Sequence, residues 1–270
     1  MLLSIDGHTV HGATGGRMHE RGRPLALLVH GAGLDHTVWA SQSRWLAFHG
    51  WNVLALDLPA HGCSCGPPLA NIQAMAKWLA SVIAASDTPK AAVIGHSMGA
   101  LIALETASRF PERVASLVLI GAAAAMPVHP DLLEAAAAHD HAAIDMVNLW
   151  GYGHAAGLGG SPSPGVWMVG AGERVLEQAR PGVLHNDLAA CGDYRNGLEA
   201  AAGVAAPTVL ICGGRDQMTP LKNSRALAKA IPGASIVTLA GAGHMLMAER
   251  PRDVENAIAD HLAVDRSRVA

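Results

Sequence analysis

Short, continuous apolar runs alternate with amphipathic stretches along most of this chain. Runs such as Leu25-Ala26-Leu27-Leu28-Val29 and Ala91-Ala92-Val93-Ile94 are too short for buried helices and read as strands covered on both faces. The pattern predicts strands over Leu25–His30, Val53–Asp57, Ala91–Ile94, Ser116–Ile120, Val209–Cys212 and Ile236–Leu239. Between them, apolar positions recur at helical spacing over Val38–His49, Leu69–Ala85, Met98–Phe110, Leu221–Ala230 and Pro251–His261. Strand and helix in alternation imply an α/β fold, a mostly parallel sheet flanked by helices. Ahead of it, Leu2 to Gly16 reads as an antiparallel hairpin turning at Asp6-Gly7.

The alternation breaks after Ile120, and no further strand is expected before Thr208. The segment between holds helical patterns around Asp131–Ala138 and Ala143–Leu149 and a Gly/Ser/Pro-rich stretch, Gly159–Pro164, expected to be a mobile loop. Residues 1–121 and 207–270 therefore form one core domain, interrupted by a mainly helical insertion over 122–206.

Composition narrows the classes of function. A chain of 270 residues, 50% of them hydrophobic, can bury one sizeable core and a modest insertion. The net charge of -3 provides no basic field for nucleic acid, so the expected partner is a small molecule. Met1 to Gly7 lacks a basic stretch followed by a long apolar one, so neither a signal peptide nor a membrane anchor is expected, and the cytoplasm is the default location. Cys63 and Cys65 are spaced too tightly for a zinc knuckle and awkwardly for a disulfide; with Cys191 and Cys212 they are expected to be free thiols. The 15 histidines raise the question of a metal. Their densest patch, His139-Asp140-His141, would turn its two imidazoles to different helix faces, so a surface helix is expected there, with no metal and no cofactor.

The chemistry is concentrated at strand ends. Gly95-His96-Ser97-Met98-Gly99 sits where the run Ala91–Ile94 passes into a helix, which places Ser97 on a tight strand-to-helix turn whose glycines relieve crowding. Alone, that motif could be an ordinary glycine-rich strand end. Three more segments bear on it. His30-Gly31-Ala32-Gly33 follows one strand as a loop with backbone amides available to an anion. Gly214-Arg215-Asp216 puts a carboxylate past a second strand, and Gly243-His244 puts an imidazole past a third. Asp216 could instead cap a helix or join a surface ion pair.

These motifs, together with Asp57-Leu58-Pro59-Ala60-His61-Gly62, resemble those of α/β-hydrolases of the esterase, haloperoxidase and epoxide-hydrolase-like branch with a serine nucleophile. Ala60 departs from the pattern, since relatives often have glycine there, and the departure bears on the shape of that turn. The resemblance implies a catalytic triad of Ser97, His244 and Asp216, oxyanion donors at the backbone N–H groups of Ala32 and Met98, and a cap over the site built from residues 122–206. It further implies a carboxylic ester, thioester or lactone as substrate. Epoxide hydrolases of this fold have aspartate at the elbow and dienelactone hydrolases cysteine. Carbon-carbon hydrolases commonly follow the histidine with tryptophan, where this chain has Met245. A carbon-carbon hydrolase and a non-catalytic binding protein of the same fold remain the alternatives. Trp150, Met146, Trp167 and Met168 are candidates for the substrate pocket, although apolar stripes on helices are more often core. His30, His61 and His96 are expected to be structural hydrogen-bonders and Asp57 to fix a turn; His154 and His185 are either substrate contacts or solvated.

Overall fold

The computed structural model describes residues 1–162 and 165–267. The chain opens with a hairpin of β1 (Leu2–Ile5) and β2 (His8–Ala13), joined by Asp6 and Gly7, both at positive φ as a tight two-residue turn requires. Strands β3 (Leu25–Val29), β4 (Asn52–Leu56), β5 (Ala91–His96), β6 (Val114–Ile120), β7 (Thr208–Gly213) and β8 (Ser235–Leu239) follow. The sheet order is β1-β2-β4-β3-β5-β6-β7-β8, with every pair from β4 to β8 parallel. β2 joins β4 antiparallel, adding the hairpin to one edge.

The period of two along each strand divides the core into two layers. Leu25, Leu27, Val29, Val93, Leu117, Leu119 and Leu210 face α2 (Ile72–Ala85) and α3 (Met98–Arg109). Ala26, Leu28, Ile94, Val118, Ile120, Val209 and Ile211 face α1 (Ala40–Phe48) and the last helix of the chain, Pro251–Leu262. Strands β3, β4, β5 and β7 are buried along their whole length because both faces are covered, which is why they appear in the sequence as nearly unbroken apolar runs, whereas the edge strand β8 is largely exposed.

Between β6 and β7 lie α4 (Pro130–Ala137), α5 (Ala142–Gly151), α6 (His154–Gly157), α7 (Met168–Glu177), α8 (Val183–Asp193) and α9 (Gly197–Ala202). α4 packs on α5 and α8, and α5 on α7, whereas α9 packs on α3 beside the sheet. After β7 come α10 (Leu221–Ala230), then β8, α11 (Leu246–Glu249) and α12 (Pro251–Leu262).

Three local expectations need comment. His139-Asp140-His141 is not helical: α4 ends at Ala137, and His139 takes φ 57° in the turn before α5. The stretch Gly159–Pro164 includes Ser163 and Pro164, which lie outside the described residues. Ala60 is buried at φ 69°, so an alanine occupies the left-handed conformation that glycine adopts freely. Among the described residues, no helix is long and apolar enough to cross a membrane.

Candidate active site

Parallel α/β sheets place ligands at the carboxyl ends of their strands, and the candidate residues of this chain collect there. Ser97 immediately follows β5 at φ 54°, ψ -118°, and leads into α3. That turn is possible because Gly95 and Gly99 lack side chains: a Cβ on Gly95 would collide with the Gly99 carbonyl, and one on Gly99 with the Val29 carbonyl. Met98 is the first residue of α3, so its N–H belongs to the turn that has no intrahelical acceptor. Ala32, in the loop after β3, borders the same cavity as Ser97.

Asp216 follows β7 and His244 follows β8, and the structure joins them: His244 Nδ1 donates to Asp216 Oδ2 at 2.8 Å. The carboxylate is further held by the Thr219 hydroxyl at 2.6 Å and by the N–H groups of Thr219 and Met218 at 2.8 and 2.9 Å. Burial alone would raise the Asp216 pKa. The neighbouring His244 and the hydrogen bonds from His244 and Thr219 outweigh that effect and hold it below the usual carboxylate range. The other ring nitrogen of His244, Nε2, is buried and has no hydrogen-bond partner among the described residues.

Ser97, His244, His96, Gly31, Ala32 and Thr219 line one cavity of about 80 Å³ whose remaining wall is apolar apart from Asn148. Its roof comes from the segment between β6 and β7: Val147, Asn148 and Gly151 of α5, Leu176 of α7, and Leu184, Leu188 and Cys191 of α8. Met146, Trp150 and Trp167, expected in the pocket, are not among the lining residues. Positions 146 and 150 share one face of α5, whereas 147 and 151 share the face about 100° away that looks into the cavity. Met146 and Trp150 pack in the small cluster around Leu132 of α4, with the Trp150 ring centroid 5.8 Å from that of His129, and Trp167 is 65% exposed.

The histidines beside the motifs are tied into the loops. His30 Nε2 accepts from the Leu58 N–H at 3.2 Å, which leaves the proton on Nδ1 to be donated to the Gly31 carbonyl at 2.8 Å. Burial and the nearby His61 push the His30 pKa down to about 4, and burial with the nearby His244 pushes that of His96 down to about 3. His96 Nε2 donates to the carbonyl of His244 at 3.0 Å. Asp57 holds its turn by accepting from the N–H groups of His36 and Cys63 and from the rings of His11 and His36.

Besides Thr219, two buried carboxylates of the site escaped the sequence reading. Glu249 is a buried carboxylate that accepts from the N–H groups of Gly243 and Gly153, both at 3.0 Å, and so pins the His244 loop against the end of α5. His244 and Met245 also donate their N–H groups to the Gly151 carbonyl. Asp187, on α8, is fully buried and accepts from the Gly33 N–H at 2.9 Å and from His61 Nε2 at 2.8 Å. Neither residue sits in a local motif; only the folded chain brings it to the loop it holds.

Among the described residues, three groups of side chains lie close enough to suit a cation. Two centre on Asp57, whose oxygens are already occupied by the four donors above; the third, His141 with Glu173 and Glu177, is open to solvent, and Glu177 is paired with Arg174 at 2.6 Å. The four cysteines are free thiols.

An eight-stranded sheet with its candidate chemistry at the strand ends defines a hydrolase-type α/β protein, and comparison with known proteins agrees. A sequence profile of the alpha/beta hydrolase family matches residues 26–257, and the chain belongs to that family. It is 32% identical over 261 residues, covering 88% of this chain and 98% of the relative, to a pimeloyl-[acyl-carrier protein] methyl ester esterase of Aromatoleum aromaticum. Among solved structures, an enol-lactonase from Burkholderia xenovorans superposes with a TM-score of 0.87 at 24% identity, covering 97% of this chain and all of that one. A thermophilic esterase superposes with a TM-score of 0.79 at 27% identity over 97% of this chain and 96% of its own.

Proposed function

We propose that this protein is a serine hydrolase of small to medium carboxylic esters, with thioesters and lactones as adjoining substrate classes. The observation that carries the proposal is the state of His244: its Nδ1 is tied to Asp216, while its unpartnered Nε2 is buried in the wall of the cavity that holds Ser97. An imidazole held in that tautomer is ready to accept the Ser97 proton. Ser97 Oγ then attacks the carbonyl carbon, and negative charge develops on the carbonyl oxygen. The N–H groups of Ala32 and Met98 are the proposed donors to it. Collapse of this intermediate expels the alcohol, which takes the proton from His244 and leaves an acyl-Ser97. Water, deprotonated by His244, releases the acid. Asp216 stays ionised throughout and stabilises the imidazolium.

In the same reading, residues 122–206 act as a cap over the core of residues 1–121 and 207–270, and the α5, α7 and α8 residues that roof the cavity select the acyl group. The wall that these residues present is mostly apolar, which favours an uncharged acyl chain. Ester chemistry is supported by the relative that is itself a methyl ester esterase and is matched over 98% of its length.

The test is turnover of p-nitrophenyl acetate and butyrate by the wild type and by Ser97→Ala, with a fluorophosphonate probe mapped by mass spectrometry. A single adduct on Ser97 and a loss of at least about 10³-fold in the variant are expected. A protein that neither turns over esters nor takes the probe is a binding protein, and one that hydrolyses vinylogous diketones in preference to esters is a carbon-carbon hydrolase.

A further inference from the structure

The loop between β3 and the short 3-10 turn at His36–Trp39 is clamped from both sides. The carbonyl of Gly31 and the N–H of Ala32 belong to one peptide unit, and in a trans peptide they point in opposite directions. That carbonyl accepts from His30 Nδ1 at 2.8 Å and from the Leu34 N–H at 3.3 Å, which turns the Ala32 N–H to the other side. The next N–H, of Gly33, is taken by Asp187 Oδ2 at 2.9 Å. His30 comes from the sheet's own strand end, but Asp187 comes from α8, 154 residues further along the chain than Gly33.

Asp187 is itself held in place. His61 donates Nε2 to Oδ2 of Asp187 at 2.8 Å and Nδ1 to the Pro59 carbonyl at 3.0 Å, and the Asn186 side chain donates to Oδ1 at 3.2 Å. Both nitrogens of His61 face acceptors, the arrangement of an imidazolium paired with a carboxylate. The two side chains are buried, so this pair binds α8 to the loop after β4 while its shared oxygen binds α8 to the loop after β3. Packing follows the same line: Gly33, at φ 67°, lies so close beneath Leu184 and Leu176 that a Cβ there would come within 2.8 and 3.1 Å of their methyl groups.

We propose that Asp187 is a positioning residue for the oxyanion loop, so that the Ala32 amide is preorganised only while α8 is seated on the core. Building on the hydrolase reading above, this makes the inserted segment part of the machinery that stabilises the transition state as well as a selector of substrate. Preorganisation matters because donors that must first be reoriented lose most of their effect on the developing charge.

The experiment compares the wild type with Asp187→Asn, Asp187→Ala and the double variant Asp187→Leu/His61→Leu. The amide oxygen of Asn can still accept from Gly33 and His61, whereas the double variant exchanges the buried ion pair for an apolar pair that such sites tolerate. For each, kcat and KM on p-nitrophenyl butyrate are measured per fluorophosphonate-titrated site. Affinities are measured for a trifluoromethyl ketone, which forms an oxyanion adduct on serine, and for the matching methyl carbinol, which does not. The expected result is a 10- to 100-fold loss of kcat in Asp187→Ala and in the double variant, with KM within threefold. Ketone affinity should fall in parallel, carbinol affinity should hold, and Asp187→Asn should stay within about threefold of wild type on every measure. A purely structural role would lower the titrated site count and leave kcat per site and the ketone-to-carbinol ratio intact; that outcome in whichever of the two disruptive variants folds overturns the proposal. Wild type that forms no ketone adduct overturns the hydrolase reading and this one together. An active wild type whose Asp187 variants bind the ketone equally well overturns this one alone.

Discussion

Lowering the pH from 6.5 to 5 should destabilise the fold steeply, and the reason lies in two buried histidines. His30 and His96 are held neutral, with pKa values pushed down from 6.5 to about 4 and about 3. A depressed histidine binds its proton in the unfolded chain before it binds one in the native state. Its contribution is therefore fully present above pH 6.5 and is lost as pH falls toward the folded value. Each withdraws about 1.4 kcal/mol per pH unit in that window, so the pair gives a slope approaching about 2.7 kcal/mol per unit. By pH 4 the loss reaches about 7 kcal/mol, comparable with the whole stability of a typical domain. Glu249 and Glu255, raised by burial, oppose the pair, because each takes up its proton first in the folded state and so returns stability as pH falls. The remaining groups do not oppose it. His36 and His61 have raised values, through Asp57 and Asp187 respectively, so their contribution is complete below 6.5 and is lost on the alkaline side. Asp57 and Asp216 are depressed carboxylates, whose contribution falls away only in stronger acid. His261, lowered by burial, adds a smaller term of the same sign as the pair. Urea unfolding at half-unit steps between pH 7 and 5, analysed with a common m-value, measures the slope. His96→Phe should flatten it by about 1.4 kcal/mol per unit whatever it does to the absolute stability. A His96→Phe variant whose slope equals that of the wild type would refute the assignment of His96 as buried and neutral.

The remaining predictions concern the site and one turn. Asp216→Asn should fold and lose about 10⁴-fold in kcat, because the amide favours the wrong histidine tautomer; a merely twofold loss would point to another partner for His244. Leu184→Ala, which opens the cavity roof, should move the optimum of a p-nitrophenyl ester series to longer acyl chains while sparing the acetate. An unchanged profile would remove α8 from acyl selection. Ala60→Gly should stabilise the protein by about 0.5–1 kcal/mol in urea unfolding, since relief of the left-handed strain exceeds the extra chain entropy of glycine. A destabilised variant would mean that the methyl group's packing dominates.

The parts of this protein legible in the sequence are those encoded over a few neighbouring residues. The strands β3 to β8, the hairpin turn at Asp6-Gly7 and the elbow at Ser97 follow from local apolar runs and glycine spacing, and the strand-end positions of Asp216 and His244 follow with them. Their union at 2.8 Å needs only that parallel strands end on one side of the sheet. Elsewhere the sequence stopped short. Helix α5 is apolar on adjoining faces, so nothing local says whether 146 and 150 or 147 and 151 look into the cavity; its packing on α4 and α7 decides. His139 to His141 has the composition of a helix surface and becomes a turn because α4 has already ended. Asp187 and Glu249 are single carboxylates without a motif, and what they hold lies 154 and 96 residues away, at Gly33 and Gly153. Period and turn chemistry act within a few residues and can be read from a linear string, whereas a buried carboxylate is defined by the donors that surround it, and those exist together only once the chain has folded.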